Sequence, residues 1–195
     1  MRELTGSYTL RDGGRVEVRP IKPEDKERLQ AGLRLLSPRS RYRRFLSEPD
    51  ALSSKELRYL TEVDQRNHLA WIAFDPERPE DPGLGVARCV RLAEEPEVAE
   101  VAVTVVDAHQ GRGLGTLLLG ILGMAALEQG IRAFRGFVLA SNSDMLEILE
   151  QVGARVGERE GAATWFDVPV PTNLDELPDS PAGRAFRALA DQVDR

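Results

Sequence analysis

With 195 residues, 42% of them hydrophobic, the chain is long enough for one compact domain with a sizeable core. Its formal net charge of −6 argues against nucleic acid, whose phosphates demand a basic face, and suits a cationic substrate. A single cysteine excludes an internal disulfide and offers no metal-ligand spacing; with no apolar core in MRELTGSYTLRDGG and too short an apolar run at Leu117–Leu127 to span a bilayer, the expected setting is cytoplasmic, away from membranes.

Residues 1–14 are polar and end in Asp12-Gly13-Gly14, so they read as an extension, with the domain proper expected over 15–170 and a tail over 171–195. Val16 to Arg19 alternates like a strand. Pro23-Glu24-Asp25 opens a helix that places Leu29, Leu33 and Leu36 on one face before Ser37-Pro38 stops it. A short helix carries Ser40-Arg41-Tyr42-Arg43-Arg44-Phe45, whose basic run suits either a phosphate contact or a solvated face with Tyr42 and Phe45 turned inward. Ser53 with Glu56 forms a capping box that starts a third helix to about Val63. His68–Phe74 and Gly85–Leu92 read as strands joined by the acidic, proline-rich stretch Asp75–Gly83. Glu94 to Glu97 then makes a second acidic turn.

The most informative stretch follows, Val101 to Gly120. Its β-branched run to Val106 reads as a buried strand, and the chain becomes strongly helical from Thr116. Between them, Gln110-Gly111-Arg112-Gly113-Leu114-Gly115 has glycine at alternate positions, which lets backbone approach a ligand closely. Such a turn delivers N–H groups to a helix N-terminus, a site for an anion and above all a phosphate, with Arg112 adding a positive charge. The spacing excludes a P-loop, because no lysine follows Gly115. It also excludes a dinucleotide fingerprint, because the next strand, Phe134–Ala140, ends in Ser141-Asn142 with nothing acidic for a ribose. That strand lies a right-handed crossover away and is expected parallel to the central one. Asn142–Val152 reads as a helix, Arg155–Glu158 and Ala163–Val168 as closing strands. Ser180-Pro181 starts a last amphipathic helix carrying Phe186, Leu189, Ala190 and Val193.

Gln110, Gly113 and Gly115 form a Gln-x-x-Gly-x-Gly pattern that resembles the pyrophosphate-binding segment of GNAT-superfamily N-acetyltransferases. The element order over residues 15–170 is similar to the same fold: α/β, a mixed and mostly antiparallel sheet of about seven strands flanked by helices, here with a short helical tail. Ser40–Leu46, Ala99–Ala102, and Val138–Asn142 with Met145-Leu146 resemble the catalytic domain of bacterial Pat-type protein lysine acetyltransferases. Pat-type proteins often carry a regulatory domain, for which 195 residues leave no room. The resemblance implies acetyl-CoA as co-substrate, no metal, and a direct transfer to an amine. Its diphosphate would meet Gln110, Gly111, Arg112, Gly113, Leu114, Gly115 and Thr116. Its pantetheine arm would run beside the strand ending at Val105 and Val106, with Asn142 bonding that arm. The superfamily's usual tyrosine acid aligns with Leu149, which leaves the general acid unassigned.

A lysine ammonium of pKa about 10.4 must lose a proton before attack, and a positioned carboxylate eases that step. Glu100 is the expected base: strand alternation puts it on one face with the small Ala102 and Thr104. It lies about 20 Å of strand from Val106, matching a long pantetheine arm. His68 and His109 are the other candidate bases, and Cys89 a candidate nucleophile. The expected acceptor is an exposed lysine on a protein, an acyl-CoA synthetase first among those the resemblance suggests. A small cationic amine is the alternative, and a non-catalytic acyl-CoA sensor the rival from another class. Oligomeric state stays open.

Overall fold

The structure, a computed structural model, describes residues 4–45, 47, 49–78 and 80–193. One sheet of eight strands runs in the order β1-β2-β3-β4-β5-β6-β8-β7. These are β1 Gly6–Thr9, β2 Arg15–Pro20, β3 His68–Phe74, β4 Gly85–Arg91, β5 Val98–Val105, β6 Ala133–Leu139, β7 Arg155–Glu160 and β8 Ala163–Pro169. Only β5 and β6 pair in parallel, as the long crossover between them requires. The helices are α1 Lys26–Arg34, α2 Pro38–Phe45, α3 Ser54–Thr61, α4 Leu114–Glu128, α5 Ser143–Gln151 and α6 Pro181–Val193.

Eight strands rather than about seven are present because the sheet starts ahead of the boundary expected at Arg15. β1 pairs with β2, and Leu4, Tyr8 and Leu10 are buried in the main core. Three scattered apolar residues in a polar segment carry little periodicity, so only packing reveals this strand. The capping box forms as the sequence predicts: Ser53 Oγ accepts from Glu56 N–H at 3.2 Å, and Glu56 Oε2 accepts from Ser53 N–H at 2.7 Å. Ser180 caps α6, its Oγ accepting from Gly183 N–H at 3.0 Å. Ala182 and Ala190 of α6 are buried; the side chains of Leu189 and Val193 lie outside the described residues, as does Leu46 of the Pat-like segment.

Two layers cover the sheet. On one face α4, buried on nearly all sides through Leu114, Leu118, Ile121 and Leu122, packs against β3, β4 and β5 and forms the main core with Val101, Val103 and Val105. Being apolar all round, α4 suits an element wedged between sheet and a second helix layer, which α6 supplies. On the other face α1, α2 and α3 cluster through Leu33, Leu36 and Leu52 with Phe45, Leu57 and Leu60.

The feature that positions the site is a divergence within the sheet. β4 holds β5 along its whole length, from Arg91 opposite Ala99 to Gly85 opposite Val105. β6 holds β5 only through Val98, Glu100 and the residue between them, then stays with β8 as far as Leu139. Beyond Glu100 the edge of β5 that faces β6 therefore has no strand partner among the described residues. Val98 C=O and Val106 N–H bond toward β4, whereas Glu97 C=O accepts from the start of β6. By alternation, the peptide groups of Val101, Val103 and Val105 face the gap.

Candidate active site

The glycine turn lies where the open edge of β5 ends. After a 3-10 turn over Asp107–His109, Gly111 and Gly113 take φ of +73° and +89°, a left-handed backbone that other residues adopt only at a cost. These two reversals aim the chain into α4. Leu117 N–H is the first to find a helical acceptor, Gly113 C=O at 3.0 Å. No protein acceptor among the described residues takes the N–H groups of Gly111 through Thr116. Six donors at one helix N-terminus make a preformed cradle for an anion with several oxygens, such as a diphosphate.

Three of the expected contacts are redirected. Gln110 N–H is already taken by Asp107 C=O at 3.2 Å, so the cradle starts at Gly111. The Gln110 side chain instead folds back, its Nε2 donating to Val105 C=O at 3.0 Å and Ser40 Oγ at 3.3 Å. Arg112 does not present its charge to the cradle: its guanidinium pairs with Asp12 and donates to His109 Nδ1 at 2.8 Å. Gly14 permits this, because a Cβ there would stand 2.3 Å from the Arg112 guanidinium. Val106 is buried in the α1–α3 cluster, with its N–H on Leu84 and its C=O on His109. The open edge thus ends at Val105, and Val106 serves as packing.

Asp107 ties this turn to α2. Its carboxylate accepts from Ser37 N–H at 2.9 Å, Ser37 Oγ at 2.6 Å and Ser40 Oγ at 3.0 Å. Burial works against the charge, but these bonds outweigh it and hold the carboxyl below its ordinary range. Neither Ser37 nor Asp107 stands out in sequence, being 70 residues apart; the Ser-Pro helix stop was the one available signal. Within the basic run of α2, Arg39 is exposed, whereas Arg41, Arg43 and Arg44 are half-buried. Tyr42 is exposed, whereas Phe45 is part of the α1–α3 cluster. Arg44 lies in a cavity under the helices, near enough to Glu100 to feel its charge. This placement answers neither reading of that run.

Glu100 is exposed inside β5, opposite Val90 of β4 and Arg135 of β6, at the point where β5 and β6 part. No ion pair within 4.0 Å engages it among the described residues. Its neighbour Arg135 is held by Asp167 at 2.8 Å and by Glu95, so the Glu100 carboxylate stays available. Ala102 and Thr104 follow it on the same face. Of the acidic stretches, only Glu94–Glu97 lies at this end of β5. The β3–β4 connection, beginning at Asp75, lies at the opposite end, where Gly85 pairs with Val105 and Asp75 acts on His109.

The alternative bases are disarmed by arginine. Arg88 NH1 lies 3.1 Å from His68 Nε2, and Arg112 NH1 lies 2.8 Å from His109 Nδ1. Guanidinium has only donors, so in each ring that nitrogen must accept, and its lone pair is occupied. Burial, then Arg88, pushes His68 down to about 4; burial and Arg112 lower His109 as well. Cys89 is fully buried and pushed up to about 12, which excludes a thiolate nucleophile at neutral pH.

Asn142 follows β6 and precedes α5 on the far side of the gap. Its backbone caps α5, accepting from Met145 and Leu146 N–H at 3.1 Å each, while its side chain makes no capping bond. Leu149, one helical turn and more along α5, is 5% exposed and packs with Val138 and Phe166. It is a core residue and offers no acid.

A family model described as an acetyltransferase (GNAT) domain matches residues 15–155. Acetyltransferase Pat of Mycolicibacterium smegmatis is 35% identical over 172 residues, which is 88% of this chain and 50% of that protein. Acetyltransferase PA5475 of Pseudomonas aeruginosa is 34% identical over 152 residues, 78% of this chain and 81% of the relative. The crystal structure of the GNAT domain of S. lividans PAT superposes with a TM-score of 0.78 at 30% identity, covering 85% of this chain and 97% of that one. The chain spans about half the length of the Pat protein it matches.

Proposed function

The chain belongs to the GNAT acetyltransferases, whose co-substrate is acetyl-CoA, and from that premise we propose that it transfers acetyl directly from acetyl-CoA to the ε-amine of a lysine on a protein. The observation that carries the reading is the continuity of one path: anion cradle, open strand edge, exposed carboxylate. The diphosphate sits on the N–H groups of Gly111–Thr116. The pantetheine amides pair with the peptide groups of Val103 and with Val105 N–H as an added strand would, and the Asn142 side chain bonds the arm from across the gap. The five residue steps of β5 from Val105 to Glu100, at about 3.3 Å each, let the arm bring the thioester to Glu100.

Glu100 takes the ammonium proton, directly or through water. The neutral amine then attacks the thioester carbonyl; the new C–N bond forms, the C–S bond breaks, the nitrogen sheds its second proton to solvent, and coenzyme A leaves as the thiolate, protonated by solvent since Leu149 supplies no acid. Support for a protein lysine as acceptor comes from the likeness to Pat and from the exposed acidic turn Glu94–Glu97 beside Glu100, which attracts a cationic side chain. Incubation with acetyl-CoA and candidate acceptors, an acyl-CoA synthetase first, tests this by mass spectrometry. Acetyl-lysine at one site, far above the chemical background, is the expected result. Efficient acetylation of small polyamines with no modified protein lysine would replace it with the small-amine alternative.

A further inference from the structure

Between the α1–α3 layer and the β4–β5 face lies a cavity of about 70 Å³. Most of its lining is apolar, including Leu33, Phe45, Leu60, Val86 and Ala102, yet Arg44 and Arg88 also line it. Arg88 is 6% exposed and, among the described residues, bonds only Leu60 C=O and His68 Nε2, both at 3.1 Å. Arg44 stacks on Phe45, its carbon 5.0 Å from the ring centre, and forms no ion pair within 4.0 Å among the described residues. A third lining arginine, Arg28, is held by Asp25 at 3.6 Å and by Asp81 C=O at 2.8 Å.

A buried cation is costly unless an anion is near. Here a buried one, Arg88, and a half-buried one, Arg44, share one small cavity, and they act on each other: burial first, then Arg44, lowers Arg88. Among the described residues, the carboxylate that acts on the pair is Glu100, which influences Arg44 from beyond ion-pair distance. Among the described residues, one distant carboxylate against two cations leaves the cavity positive. Its position is equally telling, since Arg88 lies opposite Ala102, the next residue after Glu100 on the same face.

We infer that this cavity is a carboxylate subsite beside Glu100, in which Arg44 and Arg88 receive a carboxylate carried by one of the two reactants. The shape and charge of guanidinium suit that group, which each can hold with two parallel hydrogen bonds. The carboxylate enters either on the acyl chain, as in a dicarboxylic acyl-CoA, or on the acceptor, as an acid group close to the amine. The inference rests on the proposed function only in taking this face as the reacting face.

Calorimetry tests both sources without requiring turnover. Succinyl-CoA is compared with butyryl-CoA, which has a methyl in place of the carboxylate; lysine is compared with lysinamide on protein saturated with coenzyme A. Charge-assisted bonds to arginine should favour the carboxylate partner roughly tenfold to hundredfold in one of the two comparisons. Arg44→Met should reduce that ratio to below about threefold, while leaving butyryl-CoA affinity within about twofold. Arg88→Met should do the same; if it fails to fold, Arg44→Met alone decides. A preference for succinyl-CoA assigns the carboxylate to the acyl chain, and a preference for lysine assigns it to the acceptor. Ratios within about twofold in both comparisons, or a preference unchanged by Arg44→Met, overturn the inference. Acetyl transfer measured separately on the same protein tells this failure apart from failure of the proposed function.

Discussion

Glu100→Gln is the decisive perturbation of the proposed chemistry, because it keeps shape and removes basicity. At pH 7 a lysine of pKa about 10.4 is neutral in roughly four molecules per ten thousand, a deficit of about 4.6 kcal/mol. In the native protein an exposed carboxylate, without an ion pair among the described residues, offsets it at the mouth of the β5–β6 gap. Both histidines have their accepting nitrogen occupied by arginine, so no nearby imidazole replaces the carboxylate. The expected loss is therefore about 10²- to 10⁴-fold in kcat, with KM for acetyl-CoA unchanged. It should also shrink as pH rises, about tenfold per unit toward pH 10, because the amine then loses its proton unaided. Single-turnover acetylation from pH 6.5 to 9.5 reads both effects. A loss below about threefold at pH 7, or a loss constant across the range, refutes the assignment of Glu100 as base.

Gly113→Asp places a side chain at φ +89°, a strain of about 1–2 kcal/mol, and a carboxylate beside the cradle; calorimetry should show acetyl-CoA binding weakened at least about tenfold, and unchanged affinity in a folded variant would sink the cradle. Asp107→Asn removes the charge from three bonds that clamp α2 to the turn. It should cost about 1 kcal/mol in a thermal melt, since the clamp is solvent-exposed, and raise KM for acetyl-CoA severalfold. His68 is held near 4 by burial and Arg88, against 6.5 when unfolded. Between those values the unfolded chain binds the extra proton, so stability must fall as pH drops from 6.5 to 4. Urea unfolding at pH 7 and pH 5 should show a smaller drop in His68→Gln than in the parent, and equal drops would contradict the neutral, arginine-bonded ring.

The local signals in this chain concern single segments whose partners are near in sequence. Gln110, Gly113 and Gly115 announce the anion cradle because a strand, a glycine turn and a helix start need only about twenty consecutive residues to be recognised. The Ser53–Glu56 box and the Ser180-Pro181 start are legible for the same reason: each bond closes within three residues. Glu100 could be placed on the small-residue face by counting, since alternation along a strand is a property of the backbone itself.

What lay beyond the sequence was set by contacts between distant segments. The gap beside β5 exists because pairing with β6 stops at Glu100, a matter of sheet register that no local pattern encodes. Arg112, adjacent to the cradle in sequence, is drawn to Asp12, exactly one hundred positions away, and loses the role its position suggested. Arg44 and Arg88 look like surface charges in a polar helix and an alternating strand; the layer of α1–α3 over β4 and β5 buries Arg88 and brings half-buried Arg44 into the same cavity. Charge and glycine spacing are written along the chain, but burial and ion-pair choice depend on which surfaces meet, and the free energy of meeting is decided by the whole fold.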